Sequence, residues 1–277
     1  MYDLSGKVAL VTGAGRHKGL GEAMAKRLAA EGASVVVTDI GTAKGEQFAA
    51  THVGLSDEMN QIVAEIEAGG GTAAAAVCDV RDEDQIAGAV ETAVEKFGRL
   101  DIMVNNAGIG YLMTDILNLE QEDWDAVLDV NLRGVFFGIK HAAKQMIAQG
   151  TGGRIINIAS QAAKHGFAGA AAYVSSKHGL VGLTRTAALE FAVQKITVNS
   201  ICPNHVTTGL GDWQNKHFSA VRAQTEDEYL DAMKSRIPLG RVGLASDIAN
   251  MCAFLCSEQA DYITGQNFDV SGGEEMH

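Results

Sequence analysis

Seven short apolar runs, separated by longer stretches with helical spacing, limit this chain more than any single motif does. The runs cover residues 7–12, 34–38, 73–78, 100–105, 154–159, 197–201 and 267–270. Helical patterns fill residues 20–31, 57–68, 83–97, 121–149, 172–193 and 246–257. Parallel strands need a long crossover between them, usually a helix. Strict strand–helix alternation therefore predicts an α/β fold, a parallel sheet with helices on both faces. The runs are mostly apolar throughout, as expected when both sheet faces are covered. Only Pro203 and Pro238 interrupt the chain, and they bracket its least patterned segment. That excursion, about 207–238, follows the sixth strand. Ligands of open parallel sheets bind beyond the C-terminal strand ends, so the excursion is placed to cover substrate.

The first strand runs into "VTGAGRHKGLGEA". Glycines here let the backbone approach a pyrophosphate, and the start of the next helix offers free N–H groups and a positive dipole end. The second strand, "SVVVTD", ends at Asp39, 18 residues past Gly21. A carboxylate at that place accepts hydrogen bonds from ribose hydroxyls and repels a 2′-phosphate. Glycine turn, helix, strand and acid in this order point to a dinucleotide. The formal net charge of −12 argues against nucleic acid as a partner. Cys78, Cys202, Cys252 and Cys256 form no CxxC and no zinc-spaced Cys/His cluster, so no metal is expected and buried core thiols are. No apolar run has membrane-spanning length and no leader pattern opens the chain, so a cytoplasmic protein with no membrane partner is expected.

"YVSSK" places Tyr173 and Lys177 four apart, on one helix face. A phenol is too weak an acid to exchange protons near neutrality, and an adjacent ammonium lowers its pKa. Ser160 closes the fifth strand, "NNAG" (residues 105–108) closes the fourth, and Asn131 lies within "DVNLRGVFFG". Together these motifs resemble the short-chain dehydrogenase/reductase family almost end to end, from "GKVALVTG" to "ITGQNFDVSGG". The resemblance implies a single doubly wound Rossmann-like domain over residues 1–277 with a seven-stranded parallel sheet. It implies hydride transfer between a nicotinamide and an alcohol or carbonyl carbon. Tyr173 would then be the general acid/base. Ser160 would hold the substrate oxygen. Lys177 would lower the phenol pKa and bind ribose, and Asn131 would support a proton-relay water. The cofactor would lie against Gly13, Gly19, Leu20, Gly21, Asp39, Asp79, Val80, Asn105, Ala107 and Gly108, besides Tyr173 and Lys177. Pro203, Val206 and Thr208 would meet the nicotinamide side. Asp79 would take the adenine. A homo-oligomer, most often a tetramer, is also implied.

The sequence departs from the family pattern in places. Five residues (14–18) separate Gly13 from Gly19, a two-residue expansion carrying Arg16, His17 and Lys18. The step after Asp39 is long, and reads either as a flap on the adenosine side or as a surface insertion. Asn204 replaces the usual glycine, and His205 is expected to be structural or solvent-facing. Asp39 favours NAD and the basic loop favours NADP; position decides for NAD. The substrate pocket is expected from Gln161, Ala162, residues 165–170 and 109–111, Trp213, His217 and Phe218, and suits a small neutral secondary alcohol or ketone. An NADP-dependent carbonyl reductase is the alternative. A non-redox epimerase or lyase, or a nucleotide-sensing protein, are alternatives of a different class.

Overall fold

The computed structural model describes residues 2–276; Met1 and His277, the two ends of the expected 1–277 domain, lie outside the described residues. Its sheet has seven parallel strands in the order β3-β2-β1-β4-β5-β6-β7. These are β1 (Val8–Val11), β2 (Ser34–Asp39), β3 (Thr72–Val77), β4 (Ile102–Asn105), β5 (Gly153–Ile158), β6 (Ile196–Pro203) and β7 (Asn267–Val270). Alternate residues of one strand serve opposite cores, as the two-residue period of a strand dictates. On β1, Val8 and Leu10 belong to one apolar cluster, Ala9 and Val11 to the other.

Helices α1 (Leu20–Ala30), α2 (Ser56–Ala68) and α9 (Ala245–Cys256) cover one face. Met24, Leu28, Ile62, Ile248 and Cys252 are their buried anchors, each at 0% exposure. Helices α3 (Glu83–Phe97), α5 (Gly134–Gln149) and α6 (Ala171–Phe191) cover the other, through Ile86, Ile139 and Leu180. Asp82 caps α3 by accepting from the N–H groups of Asp84 and Gln85, which satisfies two otherwise orphaned donors. The four cysteines are free and buried.

One expectation needs correction. The pattern over 121–149 is not one helix. It divides into α4 (Gln121–Leu128), a π-helical turn (Asp129–Arg133) and α5. Apolar spacing continues through the turn, so periodicity alone does not reveal the extra residue. The excursion, which the sequence reads as partly helical, forms α7 (Gly209–Val221) and α8 (Glu226–Arg236). α8 opens on a reciprocal capping box between Thr225 and Glu228.

The strand order reverses between β1 and β4. Loops leaving these two strands diverge there, and a cleft opens at the strand C-termini. Among the described residues, no helix is long and apolar enough to cross a membrane.

Candidate active site

The cleft has a volume of about 500 Å³ and begins at the glycine turn. Gly13, Gly19 and Leu20 line it. Gly19 caps α1 with no side-chain hydrogen bond, so the first N–H groups of α1 face the cleft free of a side-chain cap. Gly21 does not line the cleft. It packs beneath the turn, where a Cβ would lie 2.4 Å from the Gly13 carbonyl oxygen. The turn is also held from behind, because Asn106 Nδ2 donates to the carbonyls of Thr12 and Gly13.

Asp39 stands at the end of β2 in the cleft wall. Its carboxylate accepts three backbone N–H groups, from Gly15 (3.1 Å), Ile40 (2.9 Å) and Gly54 (3.0 Å). A carboxylate offers about four lone-pair positions, so about one remains for a ligand hydroxyl. Burial nevertheless raises the Asp39 pKa above its ordinary value, the three N–H groups only partly offsetting it. Gly54 lies so close that a Cβ would come within 2.6 Å of the carboxylate. The long step after Asp39 is therefore a flap, folded back on the acid that precedes it.

Asp79 and Val80 both line the cleft. The Asp79 carboxylate accepts from Arg81 Nε (2.9 Å), Nη2 (2.7 Å) and backbone N–H (3.1 Å), and from Lys44 Nζ (2.9 Å) of the flap. Desolvation opposes this, yet the two cations hold the acid down to about 2. These contacts engage about four lone-pair positions, so a ligand donor would compete with Arg81 and Lys44 for them. Asn105 is likewise withdrawn, 3% exposed, donating to Asn157 Oδ1 at 2.8 Å. Ala107, Gly108, Pro203, Val206 and Thr208 do line the cleft. Thr208 caps α7 by accepting from Gly211 N–H.

The opposite wall holds Ser160, Tyr173 and Lys177. Ser160 follows β5, and its Oγ accepts from Ala162 N–H at 3.1 Å. Lys177 is 4% exposed and donates from Nζ to the Ile158 carbonyl at 2.8 Å. Its Nζ lies 5.7 Å from the Tyr173 ring centre. Burial lowers the lysine to about 8. Burial also raises the phenol, and the Ser160 hydroxyl pulls it partly back. The expected depression of Tyr173 by Lys177 is not seen; burial of the phenol dominates, and Ser160 is the group that lowers it.

Asn131 is 0% exposed in the π turn and does not line the cleft. Its amide clamps the Ile109 backbone, accepting from N–H at 2.8 Å and donating to C=O at 2.8 Å. Nδ2 also donates to Ser176 Oγ (3.2 Å), which donates to the Tyr173 carbonyl (2.7 Å). Ser176, which its sequence context does not single out, thereby links Asn131 to the start of α6. Asn131→Ala orphans a buried N–H and C=O, and is expected to cost about 2–4 kcal/mol of stability. Urea unfolding checks this; an unchanged midpoint overturns it.

A family model described as enoyl-(acyl carrier protein) reductase matches residues 13–275. A short-chain dehydrogenase/reductase of Armillaria gallica is 39% identical over 270 residues, 97% of this chain and 95% of its own. The chain belongs to the short-chain dehydrogenase/reductase family. A 3-oxoacyl-(acyl-carrier-protein) reductase of Synechocystis is 39% identical over 277 residues, all of both chains. Among solved structures, a carveol dehydrogenase from Mycobacterium avium in complex with NAD superposes at TM-score 0.92, with 29% identity and 99% of each chain covered. An actinorhodin polyketide ketoreductase with NADPH gives 0.87, with 36% identity and 98% of each chain covered.

In this short-chain dehydrogenase/reductase the basic loop residues separate. His17 Nδ1 pairs with Glu22 at 2.9 Å, which raises the imidazole pKa. His17, Glu22 and Glu65 lie close enough to hold a cation, but Lys26 Nζ already sits 2.6 Å from both carboxylates. Arg16 and His17 both line the cleft, and Arg16 reaches across its mouth, where a Cβ on Gly209 would lie 2.6 Å from its Nη2. Rings join flap to excursion: His52 stacks on Tyr111 (4.1 Å), and Tyr111 meets Trp213 edge-on (6.4 Å). Tyr111 also donates from its hydroxyl to the Gln47 carbonyl of the flap.

Proposed function

We propose that this protein is an NAD-dependent oxidoreductase acting on a secondary alcohol and its ketone, with Tyr173 as general acid/base. The observation that carries the reading is the meeting of Ser160, Tyr173 and Lys177 on one cleft wall, facing the glycine turn and Asp39 on the other. The cleft suits a dinucleotide: glycine backbone and helix N–H groups stand where phosphates need them, and a carboxylate stands at the ribose end. A bound nicotinamide would supply a hydride acceptor at its ring carbon. In alcohol oxidation the C–H bond breaks with its electron pair, and the O–H proton passes to the Tyr173 phenolate. Ser160 donates to the oxygen and steadies its developing charge. Lys177, its Nζ held by Ile158, meets the ribose and passes the proton outward. With the Asn131 amide fully engaged, the relay water is assigned to the backbone of the π turn.

The pKa directions fix the sign of the pH dependence. Oxidation needs the phenolate, and burial raises the phenol. Activity in the oxidative direction therefore increases with pH through the alkaline range. Ketone reduction needs the phenol and declines as it ionises. Paired profiles of kcat/KM check this; oxidation that falls steadily from neutral to alkaline pH contradicts it.

A panel of secondary alcohols and ketones with NAD(H), read at the reduced-nicotinamide absorbance, tests the whole reading. Stoichiometric reduced cofactor supports an oxidoreductase; its absence with every alcohol and ketone favours an epimerase, a lyase or a nucleotide sensor. NADP-dependent carbonyl reduction is the second reading. It is favoured by Arg16 in the cleft and by relatives named as reductases. We also propose a cytoplasmic homo-oligomer, most simply a tetramer, joined through α5 and α6. Phe136, Leu189 and Val193 are exposed there at 45%, 82% and 86%. Sedimentation as a single 29.1 kDa chain overturns that assembly.

A further inference from the structure

Past Ser160 and Tyr173 the cleft runs into an aromatic end made by Phe167, Phe218 and Tyr229. Phe167 meets Phe218 edge-on with centroids 6.5 Å apart, and Phe218 stacks on Tyr229 at 6.3 Å. Charged groups border it: Arg222 lies 5.3 Å from the Tyr229 ring centre, and Arg236 and Glu274 also line the cleft. An imidazole enters the same surface. His205 stands at 82° to Tyr229, 6.5 Å away, lines the cleft and is only 5% exposed.

The position of His205 is fixed by its backbone. Its carbonyl accepts from Gly243 N–H at 3.0 Å, and the Gly243 carbonyl accepts from Thr207 N–H at 3.0 Å. The ring is turned so that Nε2 is buried without a hydrogen-bond partner among the described residues. Oδ1 of Asn215 on α7 is buried and unpartnered too, and Asn215 is the amide beside this imidazole. The two atoms do not pair with each other, so the imidazole keeps a buried nitrogen without a partner at the cleft end. Burial lowers the His205 pKa, which favours the neutral ring, with one N–H and one bare nitrogen. A neutral imidazole held in this way takes a hydroxyl group, which can donate to the bare nitrogen or accept from the N–H.

We propose that His205 is a specificity-determining residue that selects substrates carrying a second hydroxyl group, which pairs with the His205 imidazole while the reacting oxygen lies between Ser160 and Tyr173. The preferred substrates are diols in the oxidative direction and hydroxyketones in the reductive one. The inference rests on the oxidoreductase reading above.

The experiment compares cyclohexanol with the regioisomeric cyclohexanediols at saturating NAD. For the wild type, kcat/KM for the best diol is expected to exceed that for cyclohexanol by about tenfold or more, the scale of one well-placed hydrogen bond. His205→Phe keeps a ring and removes both ring nitrogens; it should erase that preference through KM while leaving cyclohexanol turnover near the wild-type value. His205→Gln keeps a side-chain donor and acceptor and should recover part of the preference. Turnover of cyclohexanol without any diol preference overturns the proposal and leaves the oxidoreductase reading standing. Equal losses on both substrate types in His205→Phe also overturn it, since they indicate packing. Should that variant fail to fold, the wild-type ratio and His205→Gln decide. No reduced cofactor from any ring alcohol, together with failure of the wider panel, overturns both readings.

Discussion

Tyr173→Phe is expected to lower kcat by about a thousandfold while leaving cofactor affinity unchanged, since positioned acid–base groups contribute roughly 10²–10⁴ in rate. The substitution removes one oxygen and keeps the ring. Tyr173 packs against the apolar cluster that includes Ala159, Ala172 and Cys202, so the variant fills the same space. Its backbone carbonyl still accepts from Ser176, so the start of α6 holds its place. What disappears is the phenol oxygen proposed to give and take the substrate proton near the reacting oxygen. Ser160 remains as a donor and Lys177 stays bound to the Ile158 carbonyl. Initial rates in both directions, with NADH fluorescence titration as the binding control, check the prediction. Turnover near the wild-type level would falsify the assignment. A parallel loss of cofactor binding would mean that the hydroxyl also holds the cofactor.

Much of the architecture is legible locally. β1, the glycine turn and α1 are read from adjacent residues, because an apolar run, a phosphate-binding turn and an amphipathic helix each need only their own segment. The same holds for the Tyr173–Lys177 pair, which a single helix brings to one face. Where contacts come from distant segments, the sequence falls silent. Asp39 is correctly placed at the end of β2. Nothing nearby in sequence indicates that Gly54, fifteen residues on, returns to bind it. Asp79 shows the same limit. Its neighbour Arg81 is in plain view, but the second cation, Lys44, arrives 35 residues away through the flap. Together they engage the candidate adenine acceptor in ion pairs.

The helix over 121–149 fails for a related reason. No proline or glycine pair marks the π turn. Its cause is the tertiary clamp of Asn131 on Ile109 and Ser176. A signal existed: one Asn between Val130 and Leu132 on a buried face has to find partners. His205 is the converse case. Its sequence context leaves a structural, a solvent-facing and a substrate-facing place open, and the Val206–Gly243 bridge draws it inside, against the cleft. The basic loop is explained only by its partners, which draw His17 to Glu22 and send Arg16 across the cleft.

That separation decides the largest remaining expectation, which concerns the cofactor. NAD should be preferred over NADP by about a hundredfold or more in kcat/KM. A phosphate charge roughly 5 Å from a carboxylate loses about 3 kcal/mol at an effective dielectric of about 20, and Asp39 lines the cleft at the end of β2, where the proposed cofactor would place its adenosine ribose. Asp39 is not alone. Glu58, which accepts from His17 N–H at 2.7 Å, is close enough to raise the Asp39 pKa. Two acids therefore oppose a 2′-phosphate, and His17 is already paired. Arg16 is the opposing cation, so the preference should sharpen in Arg16→Gln. Glu58→Gln keeps the acceptor for His17 and removes a charge; it should ease NADP use by a smaller factor. Asp39→Ser should abolish the preference and also lower the melting temperature, because Gly15, Ile40 and Gly54 lose their shared acceptor. The pH sign follows from the raised pKa. Asp39 takes up its proton at a higher pH than an ordinary aspartate, so discrimination weakens as pH falls through that range. A wild-type preference for NADP, or an Asp39→Ser variant that keeps the NAD preference, overturns the assignment. In the second case the acid serves only to hold the flap.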